Sequence, residues 1–372
     1  MEILGQISIL AILFIVIYSI TGMVPLIAAL YLLLRRGNAF APDITPPVRL
    51  RRWAASFFAI AALRQLWWLL FCVFSGDIRS GGEALHSAGY VTFVMLDYVT
   101  ILSTIAGTLL AMLQDRRRPV WPVFVAMIPI VAMGGVFMAW PNEYLMQTAV
   151  VYALLLYVLL TVYMAFAVRQ YGRWLRDNYA DLERKEVWFT HVLLLLFMLL
   201  FILYALVDIN TILLMFLMQF VGLVLFVLLL WRVETLPQLD SILTSDPSPK
   251  DKRASTVDLE QVERLLNERC VAPQLYLQHE LSREQLAQAV GTNRSYLSQY
   301  FSRQGITYNT YINNLRINHF IKRYEESVAA GQSISAQQLA YESGFSSYRT
   351  FSRAFTERMG QSVTDWMRDK AK

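Results

Sequence analysis

The sequence predicts an all-α protein in two parts: a seven-helix transmembrane bundle, then a smaller helical domain. Three observations predict this. Seven apolar runs, each long enough for the roughly 20 residues that cross a bilayer, fill the first two-thirds of the 372 residues. Arginines gather in every second connection between those runs. After Glu234 the chain turns polar, and one short helical pattern occurs twice. Hydrophobic residues are 56% of the chain and charged residues 16%, against roughly 45–50% and about 25% in soluble domains. The surplus lies between Ile7 and Trp231.

The apolar runs are 6–34, 53–74, 89–113, 120–140, 144–168, 188–208 and 210–231. Arg35, Arg36, Arg49, Arg51 and Arg52 follow the first run, and Arg116, Arg117 and Arg118 the third. Arg169, Arg173, Arg176, Arg184 and Lys185 follow the fifth, and Arg232 the seventh. The opposite set of loops holds only Arg79. Basic loops stay in the cytoplasm, so the N-terminus is expected outside and the C-terminus inside. Trp53, Trp121, Trp140, Trp188 and Trp231 fall at run ends, where interfacial aromatics belong. The first run is too long for the core of a cleaved signal, and basic residues follow rather than precede it. Asp208-Ile209-Asn210 leaves almost no loop between runs six and seven, which should be antiparallel neighbours.

Few polar residues interrupt the runs. Arg64, Asp97 and Gln219 lie about 12–15 Å below the outer ends of their spans at a rise of 1.5 Å per residue. Intramembrane charges mark a pair, a pathway or a pocket. Two readings stay open, an Arg64–Asp97 pair that holds spans two and three together, and a ligand pocket that includes Gln219. Tyr18, Thr21, Tyr98, Thr100 and Tyr204 are further lining candidates, or ordinary packing residues. A retinal protein is excluded, because span seven has no lysine for a Schiff base. A membrane serine protease is excluded as well: His191 is the only histidine in the spans, with no Gly-x-Ser-x-Gly beside it. Pro25 and Pro129 are weak pointers to the interrupted helices of a transporter. Cys72 and Cys270 sit in different environments and suggest neither a disulfide nor a metal site. No catalytic residue and no cofactor is expected.

Residues 1–234 are thus expected to form the membrane domain, 235–256 a flexible linker and 257–372 a soluble domain. Ser245-Asp246-Pro247-Ser248-Pro249-Lys250 reads as a loop, and a coil of the linker's length spans on the order of 25 Å. Leu259, Val262, Leu265 and Leu266 then recur at helical spacing. The doubled pattern starts at Ser282 and again at Ser335. Each copy has a Leu-Ala pair on a short helix (Leu286-Ala287, Leu339-Ala340). A glycine follows four residues after the alanine (Gly291, Gly344), and a second helix carries two large apolar residues at i,i+4 (Leu297 and Phe301, Phe351 and Phe355). The glycines suit a sharp turn, and Asn293 and Ser346 or Ser347 can cap the second helices. With the apolar pairs inward, the outer faces show Arg294, Ser295, Ser298 and Gln299, then Tyr348, Arg349, Ser352 and Arg353. This is helix-turn-helix geometry, whose second helix enters the major groove. Between the copies, Leu315, Ile317, Phe320 and Ile321 mark one helix over Tyr311 to Ser327. Such a helix could set two reading heads about one DNA turn, 34 Å, apart.

The arrangement resembles the AraC/XylS family of transcription regulators over about 100 residues, from near Leu275 to Trp366. The most specific stretch is Leu339-Ala340-Tyr341-Glu342-Ser343-Gly344-Phe345-Ser346-Ser347, with Phe351-Ser352-Arg353-Ala354-Phe355 and Gly360 behind it. Leu315-Arg316 resembles the family's linker-helix signature. The chain departs from the pattern at Val363, where a proline is frequent, and at Arg349-Thr350, where an aromatic is frequent. The resemblance implies an AraC-type double helix-turn-helix whose base-facing positions map to Arg294, Ser295, Ser298, Gln299, Tyr348, Arg349 and Arg353. From Arg283 to Lys372 there are 12 basic and seven acidic residues, a modest attraction to phosphate.

These readings imply a multi-pass protein of the bacterial cytoplasmic membrane that acts as a one-component transcription regulator. The alternatives are a transporter or channel with a regulatory DNA-binding tail, or spans that serve only as an anchor. The expected partners are double-stranded promoter DNA, the lipid bilayer and RNA polymerase. A small-molecule ligand and a second copy of the chain are left open.

Overall fold

The computed structural model describes residues 9–35, 37–74, 88–140, 142–206, 212–239, 259–332 and 334–370. Met1, Arg36, Arg79, the loop around Gly81, the Asp208-Ile209-Asn210 turn and linker residues 240–256 lie outside the described residues, and so do the side chains of Cys72 and Tyr204. Regular structure among the described residues is helical, apart from one isolated bridge between Tyr179 and Ser282. The chain divides into two compact units: residues 1–168 with 187–241, and residues 169–186 with 242–372.

The first unit contains α1 (Ile9–Leu34), α2 (Val48–Phe74), α3 (Ala88–Met112), α4 (Trp121–Ala139), the larger part of α5 (Glu143–Asn178), α6 (Trp188–Leu206) and α7 (Ile212–Thr235). Only a helix satisfies its own backbone within one apolar segment, which is why these runs coil. Helix α1 packs on α2 and α7, α2 on α3, α3 on α4 and α6, and α6 on α7. Gly107 on α3 permits the closest approach, since a Cβ there would lie 2.2 Å from the Trp53 ring of α2. Small residues admit such contacts between membrane helices.

Among the described residues five helices, α1, α3, α4, α5 and α7, are long and apolar enough to cross a membrane, where the sequence reading has seven spans. Helices α2 and α6 do not enter that count over their full length, because the side chains of 69–74 and 201–206 lie outside the described residues.

At the ends marked by arginine, buried polar contacts knit the loops of this unit. Glu234 is fully buried, accepts from the Tyr31 hydroxyl at 2.8 Å and lies 3.6 Å from Arg51. Arg118 pairs with Asp115 through two bonds of 2.5 and 2.9 Å. Gln114 donates to the Pro237 carbonyl and accepts from the Leu239 N–H, while Gln238 N–H donates to Thr45. The first residues of the expected linker are therefore fastened to the loops of the membrane unit.

The second unit holds α8 (Leu259–Leu266), continued by a π-type turn Asn267–Val271, then α9 (Arg283–Val290), α10 (Arg294–Arg303), α11 (Tyr308–Ala329), α12 (Ala336–Glu342), α13 (Tyr348–Met359) and α14 (Val363–Lys370). It has two cores on one helix. Tyr308 and Ile312 of α11 join Leu286, Val290, Leu297 and Phe301 in the first. Ile317, Phe320 and Tyr324 join Leu339, Phe345, Phe351, Phe355 and Trp366 in the second. Each of the helices α9 to α13 begins at a side-chain cap: Ser282, Asn293, Thr307, Ser335 and Ser347. Such caps contribute about 0.5–2 kcal/mol each, which matters for helices of seven to twelve residues. Residues 169–186, expected with the membrane domain, group with this unit.

Candidate nucleic-acid interface

The first head is α9, a turn at Gly291, and α10. Gly291 has φ +78° and closes α9 by donating to the carbonyls of Ala287 and Gln288. Asn293 then accepts from the Tyr296 N–H at 2.8 Å and starts α10. Leu297 and Phe301 are buried as their spacing requires. Ser295, Ser298 and Gln299 stand exposed on the opposite face. Arg294 is only half-exposed and lies 3.8 Å from Glu284, so it is less open to a partner than its three neighbours. The floor of this head is apolar. Burial pushes the Cys270 thiol up to about 11 and the Tyr308 hydroxyl far above its ordinary value, and that hydroxyl donates to the Leu281 carbonyl at 3.0 Å.

The second head repeats the plan. Gly344 has φ +91°, and a Cβ there would sit 2.8 Å from the Leu277 backbone, so both conformation and space demand glycine. Of the two capping candidates, Ser347 caps α13, accepting from the Thr350 N–H at 3.2 Å. Phe351 and Phe355 are fully buried. Tyr348, Arg349 and Arg353 are exposed on a shallow concave face shared with Ser352, Thr356 and Glu357.

A third element contributes, the loop after α5, whose acidic residues the sequence reading does not single out. Arg316 of α11 is fully buried and donates to the carbonyls of Tyr276 and Gln278 at 2.8 Å each. It pairs with Asp181 at 3.3 Å. Asp181, also buried, accepts in addition from the Glu280 N–H at 3.0 Å and the Ser346 hydroxyl at 3.1 Å. Glu280 takes a left-handed φ of +56° to present that N–H, a conformation uncommon for a residue with a side chain. Beyond Asp181, Glu183 accepts from the Ser347 hydroxyl and from Thr350 at 3.4 Å. Glu186 lies 3.6 Å from Arg353. The available signal was four acidic residues, Asp177, Asp181, Glu183 and Glu186, inside a connection otherwise read for its arginines.

In the first unit, the structure brings together Arg64 and Asp97 at 2.9 Å. It adds Trp68, whose indole N–H donates to the same Asp97 oxygen at 2.8 Å. Gln219 goes elsewhere: it accepts from Thr21 at 2.7 Å and from Gln65 at 3.0 Å. Tyr18 donates to the Gln65 carbonyl at 2.7 Å. The three expected residues thus belong to two adjoining hydrogen-bonded groups. Among the described residues no set of histidine, cysteine and carboxylate side chains is arranged for a metal.

Residues 286–369 match a family described as a helix-turn-helix domain. No curated protein and no solved structure matches the chain. The matched segment begins at Leu286 of the first head and ends beyond the second. It is an AraC-type DNA-binding domain and implies transcription regulation. The long apolar helices before it suggest a multi-pass membrane protein.

Proposed function

We propose that the chain is a membrane-embedded, one-component transcription regulator. Residues 1–234 cross the membrane seven times with the N-terminus outside, 235–256 tether the C-terminal part, and 257–372 read promoter DNA in the cytoplasm. Ser295, Ser298 and Gln299, with Arg294 at their edge, face bases from the first head. Tyr348, Arg349 and Arg353 do so from the second. The observation that carries this reading is the pair of capped helix-turn-helix units built on the two halves of α11, each with an exposed polar face opposite its core. One rigid helix fixes the spacing of two recognition helices, as entry into successive major grooves requires. The one-sided arginines support the orientation, and the polar groups around Asp97 and Gln219 are the part of the membrane domain where a signal would be sensed.

Replacing all seven spans with an unrelated multi-pass anchor tests this. Promoter binding should persist and the response to growth conditions should vanish. Unchanged regulation would reduce the spans to an anchor, and loss of a solute flux would favour the transporter reading.

A further inference from the structure

Residues 178–186 connect α5 to α6 in the chain, and their side chains are engaged inside the second unit. Ala180 is fully buried in the first core. Asn309 of α11 donates to the carbonyls of Tyr179 at 3.2 Å and Ala180 at 2.5 Å, and Arg283 donates to Asn178 at 2.9 Å. Asp181 holds α11, Glu280 and the second turn at once. From that anchor the loop continues to the first turn of α13, where Glu183 engages Ser347 and Thr350, and Glu186 faces Arg353.

The geometry points to an intramolecular interaction surface: the carboxylates of loop 178–186 sit on the first turn of α13, at the edge of its DNA-reading face, and compete with DNA there. This rests on the DNA-binding reading proposed above. The chemistry is that of a phosphate surrogate. A hydroxyl and the N-terminus of a recognition helix are where a backbone phosphate docks, and Glu183 places a carboxylate there. Arg353 cannot give the same guanidinium edge to Glu186 and to a base or phosphate.

The two parts of the loop differ in strength. Asp181 and Arg316 are buried, with 3% and 0% of their side chains exposed, and form a lasting anchor. The Arg353–Glu186 pair leaves 59% of Arg353 exposed; such pairs are weak and screened by salt. The cover is therefore releasable while the anchor holds.

The test uses the full chain in lipid nanodiscs carrying Glu183→Cys and Ser347→Cys. Its probe is a 40-base-pair duplex recovered by selection from a random pool on the reduced protein. The expected results are a 183–347 disulfide on mild oxidation, DNA affinity at least about tenfold lower when oxidised, and recovery on reduction. A second variant, Glu183→Gln with Glu186→Gln, keeps the cap and should bind the duplex at least about fivefold more tightly than the parent. Failure of the disulfide to form, or equal affinity in both redox states and in the glutamine variant, overturns the competition while leaving DNA binding intact. A disulfide that forms on a chain from which selection returns no duplex refutes the DNA-binding reading, and the competition with it.

Discussion

Phe320→Ala should melt one head and spare the other. Phe320 is fully buried on α11. Its ring centroid lies 4.5 Å from Phe351, 5.8 Å from Phe355, 6.3 Å from Trp366 and 6.5 Å from Tyr324. Truncating a core phenylalanine costs about 3–5 kcal/mol, and aromatic pair geometry adds about 0.5–1.5 kcal/mol per pair. This core contains ten fully or nearly buried side chains, and small domains have only about 5–15 kcal/mol in all. Local opening of α12, α13 and α14 should therefore become easier by roughly two to four orders of magnitude. Hydrogen exchange followed by mass spectrometry on the full chain in nanodiscs reads this directly. Peptides covering 336–370 should lose protection, while those covering 283–303 should change little, because their core draws on Tyr308 and Ile312 instead. Equal loss in both heads would refute the separation of the two cores, and no loss in either would refute the packing.

Four further outcomes are expected. In intact cells an impermeant maleimide should label Gly81→Cys but not Arg117→Cys, and the reverse would overturn the orientation drawn from the arginines. Arg353→Ala should weaken a selected duplex by about 1–3 kcal/mol and random duplex much less; equal losses in calorimetry would reassign it to a phosphate contact. Asp97→Asn should lower membrane abundance, because Arg64 loses a countercharge where an unpaired charge costs about 2.5–3.5 kcal/mol. Arg64→Asp with Asp97→Arg should recover part of this but not the Trp68 bond, and a double variant no more abundant than the worse single one would end the pairing. With its thiol pushed up to about 11, Cys270 is protonated as well as buried at pH 8. Iodoacetamide should modify it only after denaturation, and rapid labelling of the folded chain would contradict the described core.

The parts legible in the sequence are those with a local physical signature. Glycine needs at Gly291 and Gly344 show as turn punctuation between periodic segments, and both take positive φ. The i,i+4 pairs Leu297–Phe301 and Phe351–Phe355 name the buried faces, and so by subtraction the exposed ones. Less legible were contacts between residues far apart in sequence. Asp181 meets Arg316 across 135 positions, and neither carries a local sign of the other; the loop's basic residues report orientation, while its acidic ones have no local signature. Gln65 and Trp68 are hard to read from the sequence for a similar reason. Depth along a span is readable from residue number, but the partner on the next helix depends on rotation about the axis. The count of five is taken helix by helix over the described residues, which cover α2 and α6 only in part, whereas the alternating loop charge weighs the whole set together.

The central claim is that this chain, while in the membrane, reads DNA with both heads. Footprinting of chromosomal DNA crosslinked to the full chain and recovered with the membrane fraction tests it most directly. Two protected segments about one helical turn apart are expected. Both should be lost when Leu297→Asp, which buries a charge in the first core, is combined with Arg349→Ala and Arg353→Ala. Recovery of no specific DNA with the membrane-bound chain, or a footprint indifferent to those substitutions, would contradict the claim.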